Sequence, residues 1–562
     1  VAGRRLLGQI LKDLGAVHEG MIQEALAIQR EESGRIGEIL VRLGHVDAEK
    51  VAEALAVQAG LEFVPSSKLE PEPEALKRVD GVTARVQGIL PLRLDGDRLV
   101  VALADPLNLS VLDDLSLAAE GGVTAGVGES SSVLAAIEKA YGSGGTERFE
   151  EEIGKAVKEF EQGGGKIDLE DKAAMAQAAP VVKLLNYILY QAVRDQASDV
   201  HLEPFEDDFK IRYRVDGVLY ELQAPPPHLA VALISRVKVM ADLDIAETRI
   251  PQDGRIELSV GGRPVDLRVS TLPTMFGESC VLRILDRSVV SLDLDRLGLR
   301  DEERKAFDEI LELPHGIVLV TGPTGSGKTT TLYAALNEAN TEEVKIITVE
   351  DPVEYDLEGI VQIPVNEDIG VTYAKVLRTI LRQDPDKILV GEIRDEETAR
   401  TAIEASLTGH VVFSTLHTND APSSVTRLLD FDLEPFLLTA TLEFIVAQRL
   451  VRRICKNCKA FYEPDENILL ELGLGKADVA GKTFAFGKGC EECNHSGFRG
   501  RLAIFEIMRM TDAVKNLILD GKPTAVLREQ ARRDGMRSLR ESGLLAIYDG
   551  LTTVEEILRE TL

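Results

Sequence analysis

The chain has no apolar run of 18 residues, no basic-aromatic stacking stretch of the kind that holds single-stranded nucleic acid, few cysteines and a shortage of positive charge. The first absence excludes a membrane-spanning helix, and the N-terminus lacks the basic-then-apolar form of a signal peptide. The expectation is a cytoplasmic protein, or one peripheral at an inner surface. Acidic residues outnumber basic ones 94 to 64, for a net charge of −30. That balance argues against a general nucleic-acid binder, since phosphate backbones demand clustered Lys and Arg, while a local basic groove stays open. Five cysteines in 562 residues are too few for a disulfide framework. A chain of this length holds three or more domains, each able to bury its own core.

What is present is organised around residues 317–332. The β-branched run Ile317-Val318-Leu319-Val320-Thr321 reads as a buried parallel strand, and Leu332-Tyr333-Ala334-Ala335-Leu336 as a helix. Between them, Gly322-Pro323-Thr324-Gly325-Ser326-Gly327-Lys328-Thr329 fits the G-x-x-x-x-G-K-[ST] phosphate loop in its strand–turn–helix context, with Thr330 continuing into the helix. The glycines let successive N–H groups curl around an anion, the helix N-terminus adds its dipole, and Lys328 supplies a full charge. Thr329 is placed to hold Mg²⁺ through its hydroxyl. This stretch binds a nucleoside triphosphate, and ATP with Mg²⁺ is the expected pair.

Upstream, residues 5–58 contain a repeat with a period of 29: Leu7-Gly8-Gln9-Ile10-Leu11 through Gln29 realigns with Ile36-Gly37-Glu38-Ile39-Leu40 through Gln58. Each copy reads as helix, Gly-centred break at Gly15 or Gly44, and helix, giving a helical N-terminal domain over 1–62. The matched glycines either serve a ligand or only let helices pack closely. Residues 63–141 read as an α/β subdomain with a hairpin, Ile89–Leu94 and Leu99–Ala104, around Asp95-Gly96-Asp97. Gly-rich and acid-rich composition over 142–180 reads as a mobile linker. Residues 181–290 form an α+β unit whose strands carry Arg268 and Arg283 at positions expected to face solvent. From 345 onward, Lys345–Val349, Lys387–Gly391 and Val411–Leu416 alternate with helices at Tyr373–Gln383 and Thr398–Leu407. That rhythm predicts a parallel sheet covered on both faces, within a last domain spanning 291–562.

Ligand chemistry in such a sheet gathers at the carboxyl ends of the strands. There the chain places Glu350-Asp351-Pro352-Val353-Glu354, Gly391-Glu392-Ile393-Arg394-Asp395 and Leu416-His417-Thr418-Asn419, with His410 at the start of the third strand. Glu392 is positioned to reach the Mg²⁺ shell, through a metal-bound water given its length, and Glu354 is the candidate general base for the attacking water. An acid at a strand end also serves as a helix cap; three polar groups around one phosphate loop favour chemistry. The remaining signal is Cys455-Lys456-Asn457-Cys458, 31 residues, then Cys490-Glu491-Glu492-Cys493. Two such pairs close a tetrahedral S₄ shell, the geometry of structural Zn²⁺, in a subdomain over 453–500. Cys280 lies in a strand and reads as packing.

These motifs resemble the four ATPase boxes of the type II secretion and type IV pilus assembly ATPase family, of the extension type. The likeness extends through Ile250-Pro251-Gln252-Asp253-Gly254-Arg255 and Ala447-Gln448-Arg449-Leu450 and covers the whole chain. It implies a multidomain α/β architecture, with a RecA-like ATPase core preceded by a PAS-like α+β domain. It also implies that Arg268 and Arg283 are directed at the nucleotide phosphates, that Arg378 and Arg382 lie near the active site, and that His410 and His417 link the site to moving domains. The 1–62 repeat resembles the cyclic-di-GMP-binding domain of some members. Arg35, Gly37, Gly44 and Gln58 fit its second motif, and Gly8 and Gln29 its first, where Leu6 stands at the Arg position. The resemblance further implies a homohexameric motor at the inner membrane, acting through a membrane platform protein and a cytoplasmic recruiting protein; the strong acidity of the chain argues against a nucleic-acid partner. It leaves pilus and secretion pseudopilus undivided. A nucleic-acid translocase and a nucleotide-gated switch on the same core are the alternatives.

Overall fold

The computed structural model describes residues 6–31, 35–79, 81–106, 112, 122–141, 179–222, 225–260, 263–285, 292–475 and 477–561. It divides into two compact units, 1–289 and 290–562. The linker expected over 142–180 lies outside the described residues except for its last two positions, which open a helix.

In the first unit the repeat becomes four helices, Leu7–Asp13, Glu19–Glu31, Ile36–Arg42 and Ala48–Ala59. The matched glycines divide into two kinds. Gly15 and Gly44 take φ of +69° and +71° with nothing within 4 Å of a would-be Cβ, so they serve the left-handed turn and not close packing. Gly37 serves close approach, because a Cβ there would meet Val51 Cγ1 at 2.7 Å, and Gly8 faces Ile22 at 3.3 Å. Next come Glu62–Phe63 (β1), Ile89–Asp95 (β2), Arg98–Leu103 (β3) and Val123–Val127 (β4), in the order β1-β4-β3-β2. The expected β2–β3 hairpin turns at Gly96, with φ of +65°.

The α+β region forms a six-stranded antiparallel sheet. Its strands are Asp199–Pro204 (β5), Phe209–Val215 (β6), Val218–Leu222 (β7), Gln252–Val260 (β8), Arg263–Thr274 (β9) and Gly277–Leu285 (β10), ordered β7-β6-β5-β10-β9-β8. Helices Ala179–Arg194 and Leu229–Met240 cover one face, packing Leu185, Ile188, Leu233 and Val237 against Val200, Leu202, Leu267 and Leu282. Each such fully buried side chain contributes about 1.5–3 kcal/mol relative to exposure. Cys280 is part of this core, and burial pushes its thiol up to about 12.

The second unit is built on a seven-stranded sheet. Gly316–Thr321 (β11), Ile346–Glu350 (β12), Val361–Pro364 (β13), Lys387–Val390 (β14), Val411–Leu416 (β15), Leu442–Ile454 (β16) and Phe498–Arg509 (β19) run in the order β13-β12-β14-β15-β11-β16-β19. All neighbours are parallel except β16 and β19. Alternate residues of β11 enter different cores. Ile317 and Leu319 pack with helices Tyr373–Ile380 and Glu396–Leu407, while Val318 and Val320 pack with Lys328–Ala339 and Asp301–Leu311. A strand buried on both faces reads in sequence as an unbroken apolar run, as β11 does. Lys459–Tyr462 (β17) and Phe484–Gly487 (β18) form a separate hairpin-like pair.

Candidate nucleotide and metal sites

β11 delivers the chain into its loop with Thr321 fully buried, its hydroxyl donating to the Leu416 carbonyl at 3.1 Å and touching Thr418. Gly322 has φ of +153°, and a Cβ there would stand 2.6 Å from the Gln448 carbonyl oxygen. Gly325 and Gly327 have φ of +79° and +87°, and a Cβ on Gly327 would meet Gln448 Nε2 at 2.8 Å. Gln448 thus forms the floor of the loop, fixed by the Thr331 hydroxyl, which donates to its Oε1 at 2.8 Å. The Lys328 ammonium folds back over the loop, donating to the Gly322 carbonyl at 2.9 Å and the Pro323 carbonyl at 3.2 Å. Burial lowers its pKa, Glu392 opposes that shift, and Arg449 adds to it. The Ser326 hydroxyl is buried in the loop without a hydrogen-bond partner, whereas Pro323, Thr324 and Thr329 are exposed and Thr330 half-exposed. Thr329 stands in the first turn of the new helix.

The strand ends beside this loop bring three elements together. Glu392, just past β14, lies 3.2 Å from His417 Nε2 at the end of β15 and pairs with Arg394. Arg394 Nη1 is 3.6 Å from Asp351, just past β12. Tyr373 closes the group: a Cβ on Gly391 would lie 3.0 Å from its hydroxyl, and burial, followed by Glu392 and Asp351, raises its pKa. Glu350 is the last residue of β12 and is 4% exposed. Its carboxylate accepts from Tyr333, from Thr348 and, at 3.1 Å, from Gln362 Nε2. Glu354 is half-buried, and its N–H donates to Tyr333 Oη at 3.3 Å.

His410 precedes β15, at the end opposite His417, and a strand of 6 residues separates them by about 20 Å. Its Nδ1 lies 2.8 Å from the Ala405 carbonyl, so it ties a helix end to the amino end of β15, away from the loop. Arg378 and Arg382 are exposed at helix Tyr373–Ile380; Arg378 pairs with Glu397, and Arg382 donates to the Arg378 carbonyl at 2.9 Å. In the first unit Arg255, Arg268 and Arg283 are direct cross-strand partners on β8, β9 and β10. Arg283 Nε donates to the buried Asp199 carboxylate at 3.1 Å.

Sequence reasoning missed Tyr333, Glu350, Gln362, Tyr373 and Gln448. Glu350 stood inside the acidic box, but nothing in the sequence says which acid of that box is buried. Tyr333, a hydroxyl in an otherwise apolar helical stretch, was the available signal.

The four paired cysteines converge. Their sulfurs lie within 4.8 Å of one another, with Cys455 to Cys490 at 3.9 Å, Cys458 to Cys493 at 3.8 Å and Cys490 to Cys493 at 3.7 Å. Four sulfurs about 2.3 Å from a tetrahedral zinc stand about 3.8 Å apart. The set therefore fits a tetrahedral metal ion and is far from disulfide bonding distance. Burial opposes ionisation of Cys493, yet the N–H groups of Cys490 and Gly497 donate to its sulfur at 3.2 and 3.3 Å and bring it down to about 7. Gly489 and Gly497, with φ of +87° and +78°, make the bends, and a Cβ on Gly497 would collide with the Gly487 carbonyl at 2.5 Å.

In the helical repeat, Arg35 is exposed at the N-cap of helix Ile36–Arg42, Gln29 is half-buried in helix Glu19–Glu31, and Gln58 is half-buried near the end of Ala48–Ala59. Leu6, at the corresponding first N-cap, is 79% exposed.

A parallel sheet whose central strand enters a glycine-rich loop capped by Lys328, with acids from neighbouring strand ends beside it, defines a P-loop nucleoside triphosphatase. The profile of the family described as type II/IV secretion system protein matches residues 174–559, and that of the MshEN domain matches 59–147. The type IV pilus assembly ATPase PilB of Myxococcus xanthus is 43% identical over 559 residues, 99% of this chain and 98% of that protein. Type II secretion system protein E of Pseudomonas aeruginosa is 49% identical over 434 residues, 75% of this chain and 86% of that protein. Among solved structures, the ATPase DotB of Yersinia pseudotuberculosis shares the fold at a TM-score of 0.51 and 21% identity, over 68% of this chain and 93% of that one. The chain belongs to the type II/IV secretion system protein family and is an ATPase of pilus assembly or type II secretion. No helix among the described residues is long and apolar enough to cross a membrane.

Proposed function

We propose that the chain works as a homohexameric, Mg²⁺-dependent ATP-driven motor at the inner membrane, moving a membrane platform protein to which a cytoplasmic recruiting protein brings it. The observation that carries the ATPase chemistry is the meeting of Glu392 and His417 beside the loop that holds Lys328. The residues fit Mg-ATP: loop amides and Lys328 hold the phosphates, Thr329 ligates the ion, Glu392 orients its water shell, and Glu354 takes the proton of the attacking water. Arg268 and Arg283 engage the phosphates once nucleotide is bound, because a guanidinium fork matches phosphate oxygens and stays charged at any working pH. Arg378 and Arg382 act around the same nucleotide, and His417 relays its state; His410 belongs to the far end of the strand and acts only through the sheet.

Zinc suits the four-sulfur shell, and with every position filled by protein its role is structural. The MshEN match over 59–147 supports cyclic di-GMP as a regulator; Gly8, Gln29, Arg35, Gly37, Gly44 and Gln58 lie before that span, and their assignment to the ligand rests on the paired motifs of the repeat alone. Turnover per chain that rises with protein concentration as rings assemble is the expected result for the motor. Turnover independent of concentration, from a chain that stays monomeric with nucleotide, contradicts it.

A further inference from the structure

The loop that carries Glu354 is held from below by a buried polar cluster. Tyr333 stands on the helix that starts at Lys328, five residues into it, and is fully buried. Its hydroxyl donates to Glu350 and accepts the Glu354 N–H at 3.3 Å. Gln362, on the neighbouring strand β13, donates from Nε2 to Glu350 at 3.1 Å and to the Tyr355 carbonyl at 3.0 Å. Its Oε1 accepts the Leu357 N–H at 2.7 Å. The rings of Tyr333 and Tyr355 meet edge to face with centroids 6.4 Å apart. Three main-chain points of one short loop, at residues 354, 355 and 357, are therefore tied to a single buried carboxylate and to the phosphate-loop helix.

Both oxygens of this buried carboxylate are hydrogen-bonded to side-chain donors, so loss of one donor leaves a buried acceptor short and each member fixes the others. Phosphate bound at the N-terminus of the Lys328–Ala339 helix fixes that helix, and the Tyr333 hydroxyl carries its position to the backbone of residue 354. We propose that Tyr333 is a positioning residue for hydrolysis, acting with Glu350 and Gln362 to set Glu354 against the attacking water. This rests on the reading of Glu354 as general base. A displacement of about 1 Å at such a residue costs on the order of 10² in rate.

The test is ATP turnover and nucleotide affinity of the full-length chain in a double-mutant cycle. Tyr333→Phe, which removes only the hydroxyl, should lower kcat at least ten-fold with KM for ATP changed less than two-fold. In a Glu354→Gln background it should lower the residual rate no further. If Tyr333→Phe does not fold, Gln362→Ala, which releases residues 355 and 357, carries the same expectation. Normal turnover in the variant that folds, a parallel loss of nucleotide affinity, or effects that multiply in the double variant would overturn the inference. Normal turnover of Glu354→Gln alone would instead overturn the general-base reading beneath it.

Discussion

Removing the metal from the four-cysteine site should destabilise the second unit selectively. The sulfur separations of 3.7–3.9 Å already match a tetrahedral shell, so little reorganisation opposes binding. An ion held at about a thousand times its Kd stabilises the fold that binds it by about 4 kcal/mol. The site joins the distal ends of β16 and β19, which are paired from Phe444 with Arg509 to Ile454 with Phe498, so the gain is felt along the longest strand pair of the sheet. At about 2–4 °C per kcal/mol for a domain of this size, stripping the ion should lower that unit's Tm by about 8–16 °C. Calorimetry of the chain before and after chelation, with metal analysis of both samples, reads this directly. Cys493→Ser should reproduce the low Tm and no longer respond to chelator. A chain that contains no zinc as purified, or whose transitions ignore both chelation and the substitution, would rule out a structural metal here.

Two further outcomes follow from charged groups. Asp420 caps helix Ala421–Leu429, accepting the Ser423 N–H at 2.8 Å, and pairs with Arg528 at 2.6 Å. Burial pushes its pKa up, but these donors win and hold it below the ordinary carboxylate value. A carboxylate lowered in this way adds stability that is complete above its unfolded pKa of about 3.9 and is lost as pH falls through the folded value. Asp420→Ala should therefore cost about 1–2 kcal/mol between pH 5 and 8, and progressively less below about pH 4, in denaturant unfolding; a penalty that grows on acidification would contradict it. Arg268→Ala should cut ATP turnover by roughly 10³-fold with little change in nucleotide binding, and unchanged turnover would remove Arg268 from the site.

Much of this architecture is readable from residues. β11 is a pure apolar run because both its faces are buried, and the loop after it is dictated by three positive-φ glycines and Lys328. The cysteine spacing and the 29-residue repeat announce themselves because each depends on local chain geometry. β8 escaped because Gln252-Asp253-Gly254-Arg255-Ile256 shows no apolar alternation; its pairing with β9 comes from across the sheet. The length of β16 and its antiparallel partner β19 were equally silent, since an apolar run looks the same whatever its neighbour's direction. At the site, the sequence could list the acids at strand ends but not sort them. Burial selects Glu350 as the structural carboxylate and leaves Glu392 facing His417, a distinction made by Tyr333, Thr348 and Gln362 arriving from three separate elements. His410 and His417 belong to the same box, yet the extended strand between them sends them to its opposite ends.

The most direct measurement is a single-turnover quench of ATP bound to the Glu392→Gln chain. Nucleotide should bind with near-normal affinity through the Lys328 loop and be cleaved at least about 10²-fold more slowly than by the unaltered chain. Cleavage of the bound ATP at the unaltered rate would contradict this role of Glu392.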